Sequence, residues 1–267
     1  VSRPGGGKLI VDHPAEAVAR VTISNPDKRN ALDHEILDGL AELMPSLADG
    51  ISTRCVILTG TGNVFSSGYD IGDIPDEVFA EEAERLVAHP FHRAIEAVES
   101  FPFPTLAALN GHALGGGLEL ALSCDLRIAA IDAKLGMPPA KLGLIYSHTG
   151  LQKFIDAIGP ARTRELFLVG RNVDAERAEQ IGLVNQVVAT VDLGASATRL
   201  AGEIASNAPL STKGNKEIIR KLVSFPRLSD QDERDVIELR LSSFRTDDFR
   251  EGVKAFGEKR RPRWKGR

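Results

Sequence analysis

The chain is poor in aromatic residues and nearly devoid of cysteine. Its 267 residues include one Trp, two Tyr and eleven Phe, so the core must be built from Ala, Val, Ile and Leu. The two cysteines, Cys55 and Cys124, lie in apolar surroundings without CxxC spacing. That excludes a disulfide framework and fits free buried thiols in a reducing compartment. No apolar run approaches the roughly 18 residues of a membrane span. Basic residues are not in excess: 37 acidic against 33 basic side chains leave a net charge of -4. Dedicated nucleic-acid binders usually read basic, so none is expected. Neither GxGxxG nor GxxxxGK(S/T) occurs, and there is no GxSxG elbow, which argues against a nucleotide cradle and a serine hydrolase. Residues 1–8 carry neither an apolar h-region nor an Arg/Ser-rich amphipathic pattern, and the expected location is cytoplasmic.

What is present alternates in type. Strand-like runs are expected at 8–12, 17–24, 54–59, 104–109, 125–130 and 134–137. Asp33 is a good N-cap for a helix whose Ile36, Leu37, Leu40, Leu43 and Leu47 share one face. A further helix is expected over 76–99. Beyond residue 147 the chain reads helical almost throughout, over 150–158, 161–169, 175–181, 193–206, 211–222, 229–244 and 246–257. This is an α/β pattern with a helical C-terminal region. The expected division places a core in residues 1–190 and a helical region with a basic tail in 191–267.

Twice, an apolar strand ends in a glycine loop: VILTGTGNVFSSGYDI (56–71) and TLAALNGHALGGGLELAL (105–122). Glycine lets backbone approach a ligand closely. In the second unit the glycines open a helix, whose first N–H groups have no intrahelical partner and lie at the positive end of the helix dipole. Such a pair of loops suits developing negative charge. Tight turns and close helix packing would use the same glycines.

NPDKRNAL (25–32), FSSGYDI (65–71), NGHALGGGLELALSCDLRIA (110–129) and EGVKAFGEKRRPRW (251–264) together resemble the enoyl-CoA hydratase/isomerase (crotonase) superfamily, over nearly the whole chain. The resemblance implies a crotonase-like (ClpP/crotonase) spiral of ββα units with a C-terminal helical trimerisation region, assembled as a homotrimer or hexamer. It implies an acyl-CoA thioester substrate, with coenzyme A as part of that substrate, no separate cofactor and no metal. By position, the thioester oxygen would be held by the backbone N–H groups of Tyr69 and Gly116. Lys28, Arg29, Ser66, Ser67, Asp70 and Ile71 would lie along the coenzyme A path, with Phe256 and Lys259 reaching a neighbouring subunit's coenzyme A.

Glu119 sits three residues beyond Gly116, and a carboxylate within LELAL makes a poor surface residue, so it reads as the acid–base group. The hydratase pattern needs a second carboxylate in a segment resembling GxPExxLG. Here that segment is GMPPAKLG (136–143), with Pro139 in the carboxylate's place. The MxP…LG…Y…G arrangement instead resembles the methylmalonyl-CoA decarboxylase branch, which makes Tyr146 a candidate polar group in the pocket and His148 an alternative acid. Decarboxylation of a malonyl-CoA-type thioester is therefore the preferred reaction. Hydration of a 2-enoyl-CoA by Glu119 alone, or a non-catalytic acyl-CoA- or RNA-binding role, stand as alternatives. His89, His92 and His112 have no partners that suggest a metal, and Lys141 reads as a solvated surface residue.

Overall fold

The computed structural model describes residues 6–49, 52–70, 87–223 and 230–265. Strands β1 (Lys8–Ala15) and β2 (Val18–Ser24) form an antiparallel pair, with Lys8 opposite Ser24. Helix α1 (His34–Leu47) then starts where the Asp33 side chain accepts from the Ile36 amide, a cap worth about 1 kcal/mol. Strands β3 (Cys55–Gly60), β5 (Thr105–Leu109), β7 (Leu126–Ala130) and β10 (Gln186–Val188) join β2 in parallel, giving a six-stranded sheet of order β1-β2-β3-β5-β7-β10. Parallel strands buried on both faces read as continuous apolar runs, which is what CVILT and TLAAL are.

The two faces of this sheet differ. Val56, Leu58, Ala107, Leu109 and Ala129 point into the main core with α1 and with α2 (His92–Ser100). Ile57, Leu106, Ala108 and Ile128 point the other way, onto helix α6 (Leu193–Ser206). That helix presents Ala197, Ala201 and Ala205 at four-residue spacing, and these small side chains let its axis come close to the strands. α6 lies beyond residue 190, yet it closes the core of the sheet. Cys55 and Cys124 are free and buried, in the clusters on opposite faces. Burial pushes both thiols up to about 12, so neither carries a reactive thiolate near neutrality.

Each of three large-sheet strands is followed by a short strand of a second sheet. β4 (Val64–Ser66), β6 (His112–Leu114) and β8 (Lys134–Gly136) pair in parallel, and β9 (Val173–Asp174) adds antiparallel to β8. The expected glycine loops therefore contain strands. In β4 and β6 three residues are too short for a hydrophobic period, and only tertiary pairing makes them strands, whereas β8 falls within the expected 134–137. The expected helix over 76–99 is described from residue 87 onward, as a π-type turn (Val87–Phe91) leading into α2; residues 76–86 lie outside the described residues.

Helix α3 (Gly116–Leu122) follows β6. Helix α4 (His148–Arg164) is broken at Gly159 (φ 73°, followed by Pro160), where the sequence reading separates two helices. α5 (Ala175–Gln180), α6, α7 (Pro209–Val223), α8 (Asp230–Ser243) and α9 (Asp247–Gly257) complete the chain. No helix among the described residues is long and apolar enough to cross a membrane.

Candidate active site

Two asparagines tie the glycine loops together. The buried Asn30 side chain donates to the carbonyls of Thr61 (2.9 Å) and Val64 (2.6 Å) and accepts from the Asn25 amide. Asn110 accepts from the Gly60 amide (3.0 Å) and donates to the Gly62 carbonyl (2.8 Å). The NPDKRNAL turn and the second loop thus both hold the first loop. Ser66 is fully buried, and its Oγ accepts from the Gly68 amide at 3.2 Å. A Cβ at Gly117 would fall 2.6 Å from the Ser66 Cβ, so this close approach of the loops requires glycine there.

The loops leave two amides unused. Tyr69 forms a parallel bridge with Leu32, in which the Leu32 amide donates to the Gly68 carbonyl and the Asp70 amide to the Leu32 carbonyl. In that pattern Tyr69's own N–H points away from Leu32. Gly116 is the first residue of α3, where an amide has no intrahelical acceptor. Neither amide donates to an acceptor among the described residues. The two loops meet here, since a Cβ on Gly68 would lie 3.4 Å from the Gly116 nitrogen.

Glu119 lies on the first turn of α3 and is 4% exposed. The Tyr146 hydroxyl donates to its Oε2 at 2.5 Å. Burial raises the Glu119 carboxyl above its ordinary 4.5, while the Tyr146 hydrogen bond and then the Lys153 charge pull it back. Burial, then the Glu119 charge, pushes the Tyr146 phenol well above 10, so it stays protonated. Burial, then the Glu119 charge, likewise pushes the Tyr69 phenol well above 10. Gly150 makes room for the pair: a Cβ there would lie 2.6 Å from the Tyr146 ring and 3.0 Å from Glu119 Oε2. Ser147 caps α4 by accepting from the Gly150 amide at 3.1 Å, which fixes the helix that carries this opening.

Tyr69, Glu119 and Tyr146 line one cavity of about 350 Å³, whose other walls come from α2, α4 and the C-terminal helices. Lys153 of α4 pairs with Glu99 of α2 at its edge, and Arg220, Arg240, Phe244 and Phe249 close it. Sequence reading did not single out Lys153, Glu99 or Arg240. Charged residues on amphipathic helices give no signal until tertiary packing puts them on a cavity, whereas Asn30 lies within the NPDKRNAL motif.

The remaining expected residues are distributed around this cavity. His148 does not line it; its Nε2 faces Glu233 Oε1 at 3.4 Å. Lys28 pairs with Asp70 at 2.8 Å, and the Ser67 hydroxyl donates to the Lys28 carbonyl, so beside the first loop the exposed Lys28 and Arg29 stand over the half-buried Ser67 and Asp70. Ile71 lies outside the described residues. Phe256, 76% exposed, and Lys259 are at the C-terminal end of α9, away from the cavity lining. Pro139 is buried in a short 3-10 turn, Pro139–Leu142, and brings no titratable group. Among the described residues no three His, Cys, Asp or Glu side chains group in a way that could hold a metal ion.

Residues 13–267 match the enoyl-CoA hydratase/isomerase family. The chain belongs to that family. It is an enzyme of the crotonase superfamily acting on acyl-CoA, as the motif resemblance implies, and its two mixed sheets with C-terminal helices are the crotonase fold. A Bacillus subtilis protein named "Putative enoyl-CoA hydratase/isomerase YngF" is 37% identical over 265 residues, covering 98% of this chain and 99% of that one. A solved structure of a methylmalonyl-CoA decarboxylase in complex with 2-nitronate-propionyl-CoA superposes with a TM-score of 0.88 at 28% identity, covering 97% of this chain and 98% of that one. An enoyl-CoA hydratase from Bacillus anthracis gives 0.76 at 33% identity, covering 97% and 99%. These three relatives carry hydratase, isomerase and decarboxylase names.

Proposed function

We propose that this crotonase-family enzyme decarboxylates a malonyl-CoA-type thioester. The observation that carries the reading is the buried Tyr146–Glu119 pair, joined at 2.5 Å, with Pro139 where a second carboxylate would stand. The amides of Tyr69 and Gly116 would hold the thioester oxygen. The bond from the α-carbon to its carboxylate breaks, CO₂ leaves, and the electron pair passes into the enolate facing those amides. Tyr146 then delivers one proton to the α-carbon, with Glu119 holding the phenol in place, and solvent restores that proton. Decarboxylation takes up one proton and activates no water, so one proton-delivering pair suffices. The superposition with a methylmalonyl-CoA decarboxylase at a TM-score of 0.88 supports the same reading. We further propose a trimer or hexamer, with Lys28, Arg29, Ser67 and Asp70 beside the coenzyme A and Phe256 and Lys259 serving a neighbouring subunit.

A second reading, hydration of a 2-enoyl-CoA by Glu119 alone, is favoured by the raised carboxyl of Glu119, which brings both its protonation states closer to neutral pH. Methylmalonyl-CoA and crotonyl-CoA, each offered to wild type, Glu119→Gln and Tyr146→Phe, separate the two. The expected result is CO₂ release that persists in Glu119→Gln, because Gln still accepts from Tyr146, and falls about 10²-fold or more in Tyr146→Phe. Fast hydration of crotonyl-CoA that collapses only in Glu119→Gln overturns the decarboxylase reading. Turnover of neither thioester favours a role in binding.

A further inference from the structure

Arg240 differs from the other cations of the cavity. Lys153 is paired with Glu99, and Arg220 with Glu217. Arg240 forms no ion pair among the described residues. Its guanidinium lies over the Phe244 ring, 5.6 Å from the centroid, and is only partly exposed. Glu96, the other carboxylate at the cavity edge, is exposed, and no ion pair joins it to Arg240 among the described residues. Arg240 lines the same cavity as Glu119, Tyr69 and Tyr146. A planar, always-charged fork held on an aromatic face presents paired donors, and a carboxylate is the group that matches them.

We infer that Arg240 binds a free carboxylate at the far end of a short acyl chain and that this carboxylate is kept through the reaction. For hydration the substrate is then the thioester of a dicarboxylic acid, and for decarboxylation it carries, besides the terminal carboxylate, the separate α-carboxylate that leaves as CO₂. The assignment rests on the acyl-CoA reading of the cavity and holds for either lyase chemistry. The carboxylate it takes is not the one that leaves. Pairing the leaving group with an arginine stabilises the ground state and loses that contact as neutral CO₂ forms, which raises the barrier. A retained carboxylate is held alike in ground and transition states, and so selects the substrate. The cavity, about 350 Å³, is at the small end of ligand sites and suits a short chain.

Calorimetric titration of the full chain with glutaryl-CoA and pentanoyl-CoA tests this. The two acyl chains have the same number of carbons and differ in ending in a carboxylate or a methyl, and neither has an α-carboxylate or a double bond to react. Wild type should bind glutaryl-CoA about tenfold more tightly or better. Arg240→Gln should erase that preference and leave pentanoyl-CoA affinity unchanged. Arg240→Lys, which keeps the charge and loses the fork, should retain part of the preference, and it serves as the probe where the Gln variant does not fold. Equal affinities in wild type, or a preference that survives Arg240→Gln, overturn the assignment. So does an equal loss for both thioesters in that variant, since Arg240 would then only support α8 against Phe244. Binding of both thioesters without preference removes this inference alone; binding of neither removes the acyl-CoA reading with it.

Discussion

The two sides of the cavity are built differently: the backbone of the glycine loops underlies one, and side chains of the C-terminal helices make the other. On the glycine-loop side, a bridge to Leu32 and a helix start fix the amides of Tyr69 and Gly116, and Asn30 and Asn110 tie down the first loop. On the opposite side, Arg240, Phe244 and Phe249 come from segments more than 100 residues further along the chain. There Phe244 and Phe249 pack edge to face at 5.3 Å, with Leu144 against them. A backbone wall is tied to the sheets, so charge placed against it would stay in the same place whatever acyl group arrives. A side-chain wall can change with little consequence for the sheets. On the proposed function, chemistry would belong to the first wall and substrate choice to the second.

Breaking the backbone wall should have the largest effect. Gly116→Pro removes the amide donor at a first helical position, where proline is tolerated, and it requires the Tyr69 ring to shift, since a Cβ there would lie 2.7 Å from it. CO₂ release from methylmalonyl-CoA should fall about 10²–10³-fold with an unchanged far-UV circular dichroism spectrum. Full turnover in a folded variant would end the assignment of that amide.

On the side-chain wall, Phe249 is 2% exposed, and Phe249→Ala should cost about 3 kcal/mol of stability in denaturant unfolding. Chemistry on bound substrate should change less than KM. A fall in kcat matching that of Gly116→Pro would erase the distinction between the walls.

A smaller effect tests how dry the reacting end is. Burial raises the folded pKa of Glu119 above its ordinary 4.5, so the native state keeps a proton that the unfolded chain releases. The stability this proton contributes is fully present below the unfolded pKa and is lost as pH rises through the folded one. Glu119→Gln lacks that dependence. The melting temperature of the variant minus that of wild type should therefore grow as pH rises from about 4.5 toward neutrality. A difference that is flat with pH would mean that Glu119 is solvated.

The smallest effect is expected at His148, whose side chain faces Glu233 and not the cavity. A half-exposed pair of this kind contributes about 0–1 kcal/mol. His148→Asn should leave turnover within about threefold of wild type, a range that corresponds to less than 1 kcal/mol. A loss comparable to that of Tyr146→Phe would restore His148 as the acid.

Legibility followed the same division. The apolar runs of β3, β5 and β7 could be read directly because strands buried on both faces leave no polar positions. Helix α6 appears over the expected 193–206 because its buried positions recur at helical spacing. The short strands β4 and β6 were not legible, since they exist through pairing with each other and with β8. Ser66 could be placed beside the loop from its motif, but not beneath Gly117, where only the packing of two distant segments puts it.

The family, the two glycine loops and the absence of a second carboxylate at Pro139 are written in the residues themselves, because backbone approach and missing titratable groups are properties of residue type and local spacing. Tertiary structure alone decided that Tyr146 donates to Glu119, that His148 turns to Glu233, and that Arg240 faces the cavity without a carboxylate partner among the described residues. Hydrogen bonding, desolvation and charge act between side chains brought together from distant parts of the chain, and no local pattern of residues encodes those distances.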